Sequence, residues 1–419
     1  WGIGMAHVVL DPIELAHAQL ARDRRRTERV RAWARGARLF EHKVARMSPS
    51  PLAFLRGAAP LFYEILERLP VLAEGPPGEG VIIGDLHMEN FGAFRPDPSE
   101  ERRHKKGEPD AVFDVNDFDD CTIGPWRFDL LRLTTSLILA GRELGANGRE
   151  ALTLADAMLE SYARAIASGG KRLPPSPRSV KRLLVQASER DRRALLNGRT
   201  EQRGKSRRFV RGPRYAELSR ALARDAERAF EDYVVATVPK RHRDLYEVRD
   251  LAFRIAGTGS LGCLRVAVMV RGKGKRDGEW IFDMKEEDPR SSATRVCGAR
   301  AKSAKTGAAR VEHGMREGLF DVPRGLGTTR LRGLPMLVRR LTPQEDRVDL
   351  HTFPKVELDA LARLLGALIG RVHATGATHA PARAWNAGDR NHLIDSAARL
   401  AGMHEAAYLA FCRLTGDVK

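Results

Sequence analysis

Cysteine is scarce in this chain: four residues in 419, at positions 121, 263, 297 and 412, with no C-x-x-C pair. That spacing argues against a disulfide framework or a thiolate zinc site, and it fits a reducing cytoplasm as the expected localisation. Aromatic residues are also few, at 6%, and none interleave with the basic runs, so a base-stacking platform for single-stranded nucleic acid lacks its material. No apolar run reaches membrane-spanning length. The best candidate, residues 130–140, is short and is interrupted by Arg132 and three hydroxyl side chains, so a core helix is expected. The N-terminal residues do not show the basic, apolar and small-residue succession of a secretory leader.

What is present is 42% hydrophobic and 30% charged sequence with a net charge of +18, the balance of a soluble globular protein. The length accommodates one two-lobed domain or two to three ordinary ones. The positive excess favours anionic partners such as nucleotides, nucleic acid, phosphorylated metabolites or anionic lipid, without choosing among them. Apolar periodicity predicts helices over 12–46, 56–69, 147–168, 179–196, 214–234 and 310–318, and again from 356 to the end. Strands are expected at 81–83, 111–115, 251–255, 264–270, 280–284 and 336–341, with solvated loops at 95–109 and 203–214. Asp129 is expected to cap the helix that follows it. The chain thus reads helical, then β-rich, then helical.

Two segments carry chemistry. GDLHMENFG, from Gly84 to Gly92, places Asn90 five residues after Asp85, and FDVNDFDD, from Phe113 to Asp120, follows with a run of carboxylates. Asp-x-x-x-x-Asn followed by a second Asp is how phosphoryl-transfer enzymes set a base and two metal ligands. In that arrangement Asp85 takes the proton of an acceptor hydroxyl, and Asn90 and Asp117 hold Mg²⁺, which needs few protein ligands. His87 either orients Asp85 or is a hydrogen-bonded core histidine. GTGSLG, from Gly257 to Gly262, is a weak signal alone. A dinucleotide-binding turn would require a helix next, whereas Leu264 to Val270 favours a strand. A strand–glycines–strand hairpin covering nucleotide phosphates, with Lys285 on the third strand, is the kinase alternative. An EF-hand reading of 114–125 fails because Asp119 replaces the turn glycine and Pro125 the final Glu. A binuclear metallophosphoesterase remains as a rival, with FDVNDFDD and Gly388-Asp389-Arg390-Asn391-His392 as poor versions of its later motifs.

Together these residues resemble the aminoglycoside phosphotransferase and choline kinase branch of the protein-kinase-like superfamily, departing from it at Ile83, where those enzymes commonly have His. A closer resemblance is to a bacterial family of unknown function in the same superfamily, carried by Met47-Ser48-Pro49, Phe54-Leu55-Arg56-Gly57, GDLHMENFG, NDFDD, Gly257-Thr258-Gly259-Ser260 and Lys285-Glu286. The resemblance implies an α+β, two-lobed protein-kinase-like fold with a small antiparallel β-lobe and a large helical lobe. Here the catalytic loop precedes the glycine loop, so a circular permutation is expected. Residues 336–341 resemble the strand before the kinase hinge, and 361–374 the helix that normally leads into the catalytic loop.

The corresponding division is a basic helical extension at 1–42, the catalytic-loop part of the large lobe at 43–245, a nucleotide-binding lobe at 246–345, and completing helices at 346–419. The implied activity is ATP- and Mg²⁺-dependent phosphoryl transfer to a hydroxyl group, with Asp85 and Lys285 catalytic and Gly257, Gly259, Ser260, Gly262 and Lys285 on the nucleotide. Transfer of AMP, or nucleotide binding without transfer, uses the same residue types. The acceptor is unidentified, with an anionic one suggested by the basic helical region 171–243. The helix Glu that pairs with such a lysine falls to Glu312 or Glu317. The two halves are expected to meet across a cleft, with Lys285 facing Asp117.

Overall fold

The structure, a computed structural model, describes residues 10–34, 37–96, 111–204, 206–274, 277–298, 306–380 and 385–416. It is α+β. The first helix, α1 (Pro12–Arg31), starts where Asp11 accepts the Ile13 amide at 2.9 Å and Pro12 occupies a position whose amide has no helical partner. It does not run on to residue 46. The chain turns after Arg31, ahead of Gly36 in the sequence, and restarts as α2 (Leu39–Met47). The helix expected over 56–69 is also two, α3 (Pro51–Gly57) and α4 (Ala59–Arg68). Ala58 leaves helical geometry between them, and Pro60 at the start of α4 has no amide to continue the ladder.

Four short strands then build the floor of the molecule: β1 (Glu79–Ile82), β2 (Phe91–Phe94), β3 (Val112–Val115) and β4 (Thr122–Pro125). β1 pairs antiparallel with β4, Val81 opposite Ile123, and β2 with β3, Phe91 opposite Val115. The expected loop at 95–109 lies outside the described residues from 97 on. Helix α5 begins at Arg127 and runs to Glu143, so Asp129 is inside its first turn and not its cap.

Helix α6 (Gly148–Ala167) opens on a reciprocal capping box between Asn147 and Glu150. The helix expected over 179–196 breaks into α7 (Arg178–Glu189) and α8 (Arg192–Asn197), because Asp191 caps the second by accepting the Ala194 amide. Residues 203–214, expected as a loop, are largely a hairpin of β5 (Thr200–Arg203) and β6 (Ser206–Phe209), followed by β7 (Tyr215–Ala216). Helix α9 (Arg220–Thr237) then starts at a Ser219 cap, six residues later than expected.

The β-rich region contains β8 (Val248–Arg254), β9 (Arg265–Val270), β10 (Trp280–Glu286), the short α10 (Thr294–Cys297), α11 (Gly307–Gly318), β11 (Gly327–Leu331) and β12 (Leu334–Leu341). With β7 these strands make one antiparallel six-stranded sheet in the order β11-β12-β10-β9-β8-β7. β13 (Asp346–Arg347) returns to pair with β2. Helix α12 (Leu358–Thr375), β14 (Ala377–His379), which pairs with β1, and α13 (Ala387–Leu414) complete the chain.

Two main cores follow from this order. The larger gathers apolar faces of α3 to α6, α12 and α13, and it includes Leu15 and Ala16 of α1. The second lies between one face of the six-stranded sheet and α9, whose Phe230 and Tyr233 pack on Phe282. Helix α9 therefore belongs with the sheet although it precedes residue 246. Val30, from the far end of α1, also enters this second core, so α1 bridges both. Among the described residues no helix is long and apolar enough to cross a membrane.

Candidate functional site

The loop leaving β1 is held from below. Gly84 has φ +79°, and a Cβ there would stand 2.1 Å from the Asp120 carbonyl oxygen, so glycine is required by both conformation and space. The amides of Ile83 and Gly84 donate to the Asp129 carboxylate at 2.6 and 2.9 Å, and the Tyr63 hydroxyl donates to the Gly84 carbonyl at 2.5 Å. Asp129 is fully buried. Its other partner is His373 at 3.2 Å, which stacks on Trp126 and lies 3.1 Å from the Tyr162 hydroxyl. The residue expected as a helix cap is thus a brace for the loop, which a local reading of 126–130 could not reveal.

Asp85 emerges from that loop against Arg132 of α5, whose Nε donates to it at 2.9 Å and whose Nη2 donates again. Arg132 is completely buried and also donates to the Leu55 carbonyl at 2.8 Å. Burial pushes the Asp85 carboxyl up to about 7; Arg132 opposes that rise, and Asp120 and Asp117 add to it. Sequence reading missed Arg132 as a site residue, noting only that it interrupts an apolar helix. A lone arginine in a buried stripe was the available signal, because such a charge needs a partner.

Asn90 is buried, and its side-chain oxygen accepts the His87 amide at 2.7 Å, closing the turn after Asp85. His87 accepts the Glu89 amide through Nδ1 at 3.2 Å. Burial, reinforced by Arg56, Arg132 and Arg347, holds it well below its ordinary pKa. It is a neutral turn residue.

The carboxylate run divides after β3. Asp117 is exposed to the cleft and, among the described residues, accepts the Asp119 amide alone, at 3.3 Å. Asp119 pairs with Lys285 of β10, so the lysine meets Asp119 and not Asp117, one turn further along the loop. Asp120 also borders the cavity and accepts the Ser292 amide at 2.7 Å. Lys285 also lies 3.3 Å from Glu287, whose carboxyl burial pushes up to about 7. Neither expected helix glutamate reaches Lys285: Glu312 pairs with Arg316 of its own helix at 3.0 Å, and Glu317 is exposed. Helix α11 instead contributes Arg310, which donates to the carbonyls of Cys121, Asp119 and Asp288.

The glycine segment joins β8 to β9 as a hairpin loop, as expected. Gly257 and Gly262 have φ +74° and +95°. A Cβ at Gly259 would be 3.6 Å from Asp85 Oδ2, so this loop and the Asp85 loop are in direct apposition. A Cβ at Gly262 would meet the Arg26 backbone at 2.9 Å, because α1 lies across the loop. Arg29 of α1 fixes that crossing with two bonds to Glu286, at 2.6 and 2.8 Å. The Ser260 hydroxyl is engaged locally, donating to Ala256 at 3.1 Å and accepting from Arg265 at 3.3 Å.

Asp85, Asn90, Asp117, Asp119, Gly257 to Ser260 and Lys285 all line one cavity of about 1020 Å³. Among the described residues no group of three or more His, Cys, Asp or Glu side chains is placed to hold a metal. The described residues thus offer no cage of the kind a transition metal or Ca²⁺ takes. Mg²⁺ fits better, since it takes one or two protein oxygens and completes its shell with water and phosphate. Asp117 offers a free carboxylate, and the Asn90 amide oxygen retains a second lone pair beyond its bond to His87. The metallophosphoesterase reading fails on geometry. Asp389 closes a capping box with Asn386 at the start of α13, and residues 388–392 do not line the cavity.

A family described as uncharacterized protein conserved in bacteria (DUF2252) matches residues 35–414. Comparisons with curated proteins and with solved structures return no match.

Proposed function

Since the chain belongs to that bacterial family, whose description assigns no activity, we propose from the geometry of the cleft that it is a circularly permuted, protein-kinase-like phosphotransferase using ATP and Mg²⁺ on a hydroxyl acceptor. One observation carries this reading. The glycine hairpin and Lys285 line the same cavity as Asp85, Asn90 and Asp117, with Gly259 against Asp85 and Lys285 paired to Asp119. The order of parts supports it further: glycine loop between the first two long strands, lysine on the third, a helix next, and a last strand paired against the lysine strand.

In this reading Lys285 and the loop amides of 257–262 hold the ATP phosphates. Asp117 and Asn90 would hold Mg²⁺, which would supply charge neutralisation on those phosphates when bound. The acceptor oxygen attacks the γ-phosphorus, the bond to the β-phosphate breaks with its electron pair leaving on ADP, and the hydroxyl proton passes to Asp85. A carboxyl near 7 suits that last role, because a base works best with its pKa close to the working pH. Positioning and charge account for most of the rate, since phosphoryl transfer needs little covalent help.

A second reading, nucleotide binding without transfer, rests on the pairing of Lys285 with Asp119 and Glu287 in place of a helix glutamate. Transfer of AMP in place of phosphate is a third outcome on the same residues. Calorimetry with Mg²⁺ and a non-hydrolysable ATP analogue, followed by phosphorus NMR of ATP incubated with pooled hydroxyl compounds, separates all three. Phosphotransfer predicts analogue binding and ADP release. AMP transfer would give pyrophosphate. Absence of analogue binding at millimolar concentration sinks every nucleotide reading.

A further inference from the structure

Beside Asp85 the cleft carries more positive charge than its own residues neutralise. Arg56, at the end of α3, and Arg347, from β13, both bond the same oxygen of Glu89, at 2.8 and 3.2 Å. Arg46, from α2, donates to the Gly257 carbonyl, which brings a third guanidinium to the mouth of the glycine loop. Gly259 locates the cluster: an added Cβ there would be equidistant, at 3.6 Å, from the Arg56 carbonyl oxygen and from Asp85 Oδ2. All three arginines and Glu89 line the cavity.

Among the described residues Glu89 is the only carboxylate these three guanidiniums pair with, so the cluster itself carries two excess positive charges, which Asp85 and Glu143 offset at longer range for Arg56. The arrangement is costly as it stands. Burial first, then mutual repulsion among the three, holds Arg46 below its ordinary pKa; Arg56 is also held below, by burial first and by Arg347, partly relieved by Glu89. Arg56, which lines the cavity, has a buried Nε with no hydrogen-bond partner. A buried guanidinium donor left open next to a catalytic carboxylate is what an absent anion would satisfy.

Resting on the phosphotransferase reading, we infer that the acceptor carries a phosphate monoester as well as the hydroxyl that reacts, and that Arg46, Arg56 and Arg347 bind that monoester. A phosphate monoester carries about −1.5 to −2 at neutral pH, which matches the uncompensated charge, and its oxygens accept the forked donors of arginine. A monocarboxylate would leave one positive charge unmatched. The product is then a bisphosphate: the new ester oxygen comes from the acceptor hydroxyl, whose proton goes to Asp85, and ADP leaves.

The test is calorimetric titration of inorganic phosphate into the full chain, with and without saturating Mg²⁺ and a non-hydrolysable ATP analogue. The expected result is phosphate binding in both conditions, weakened at least about tenfold in Arg347→Gln and in Arg56→Gln, with analogue affinity unchanged. Arg347 has a 59% exposed side chain, so its variant tests the site without threatening the fold. Phosphate affinity equal to wild type in Arg347→Gln and Arg56→Gln overturns the inference. So does displacement of phosphate by the analogue, which would make the cluster part of the nucleotide site and leave the phosphotransferase reading standing. Acetate binding as tightly as phosphate overturns the assignment to a dianion. If the analogue fails to bind while phosphate still depends on these arginines, the anion site stands and the phosphotransferase reading falls.

Discussion

Lys285 and Asp119 close on one another across the cleft although 166 residues separate them in the chain. That contact leaves Asp117, two residues earlier, as the carboxylate open to the cavity. After Asp114, which pairs with Arg371, the run of aspartates is thus divided among an exposed carboxylate, a lysine partner and an acceptor of the Ser292 amide. Asp117→Asn should reduce ATP turnover on the order of a hundredfold or more and raise the Mg²⁺ concentration needed for half-activity. Asp119→Asn should act chiefly on the KM for ATP. Magnesium titrations of both variants check this, and full turnover by Asp117→Asn would remove Asp117 from the metal.

Turnover should depend on pH through Asp85. The carboxyl must be ionised to accept a proton and its pKa is pushed up to about 7, so kcat/KM should fall about tenfold per unit as pH drops below that value. Arg132 is the group that opposes the rise, so Arg132→Gln should move the inflection upward; an unmoved inflection would assign the titration to another group.

The same shift has a stability counterpart. Asp85 and Glu287 both hold protons that the unfolded chain releases near 3.8 and 4.5. The folded state binds more protons between those values and about 7, so the contribution of these two groups to stability should decline as pH rises across that window.

Asp283 should behave in the opposite sense. It is buried between Arg254, at 2.5 Å, and Arg265, at 2.8 Å from its Nε, and these two arginines overcome burial and hold it well below the ordinary range. Its stabilisation is present above pH 3.8 and is lost as pH falls below that value. Asp283→Asn leaves two buried guanidiniums without a charge partner and should cost about 3–5 kcal/mol in urea denaturation. A variant within about 1 kcal/mol of wild type would show that the arginines find other partners.

Gly84→Ala should be worse than an ordinary left-handed glycine substitution. Gly204, with φ +60° and nothing within 4 Å of a new Cβ, serves as the comparison and should lose only the backbone term, about 1 kcal/mol. Gly84→Ala adds a collision with the Asp120 carbonyl and should lose turnover as well as stability, because the displaced residue is Asp85. Paired thermal melts and rate measurements distinguish the two.

Much of this site was legible because it is local. Gly84, Asp85 and Asn90 share one short loop, and a glycine hairpin between β-branched runs announces itself by composition. Lys285 could be placed on the third strand because the glycine hairpin before it fixes the order of strands. Its partner could not, because Asp117 and Asp119 differ only in which way a loop turns. Asp129, Arg132 and Arg310 were misread or missed for one shared reason. Each acts on a segment distant in sequence, and neither period nor spacing encodes that contact. Helix ends were misjudged where a single cap or proline, at Asp191 or Pro60, outweighed continuous periodicity.

Arg310 joins three carbonyls from two segments, the carboxylate loop and the end of the lysine strand. Its guanidinium is a rivet at the back of the cleft. The carboxylate loop and the end of the lysine strand are thereby tied into one unit, and Arg310→Gln should let a label on residue 119 shift independently of one on residue 288.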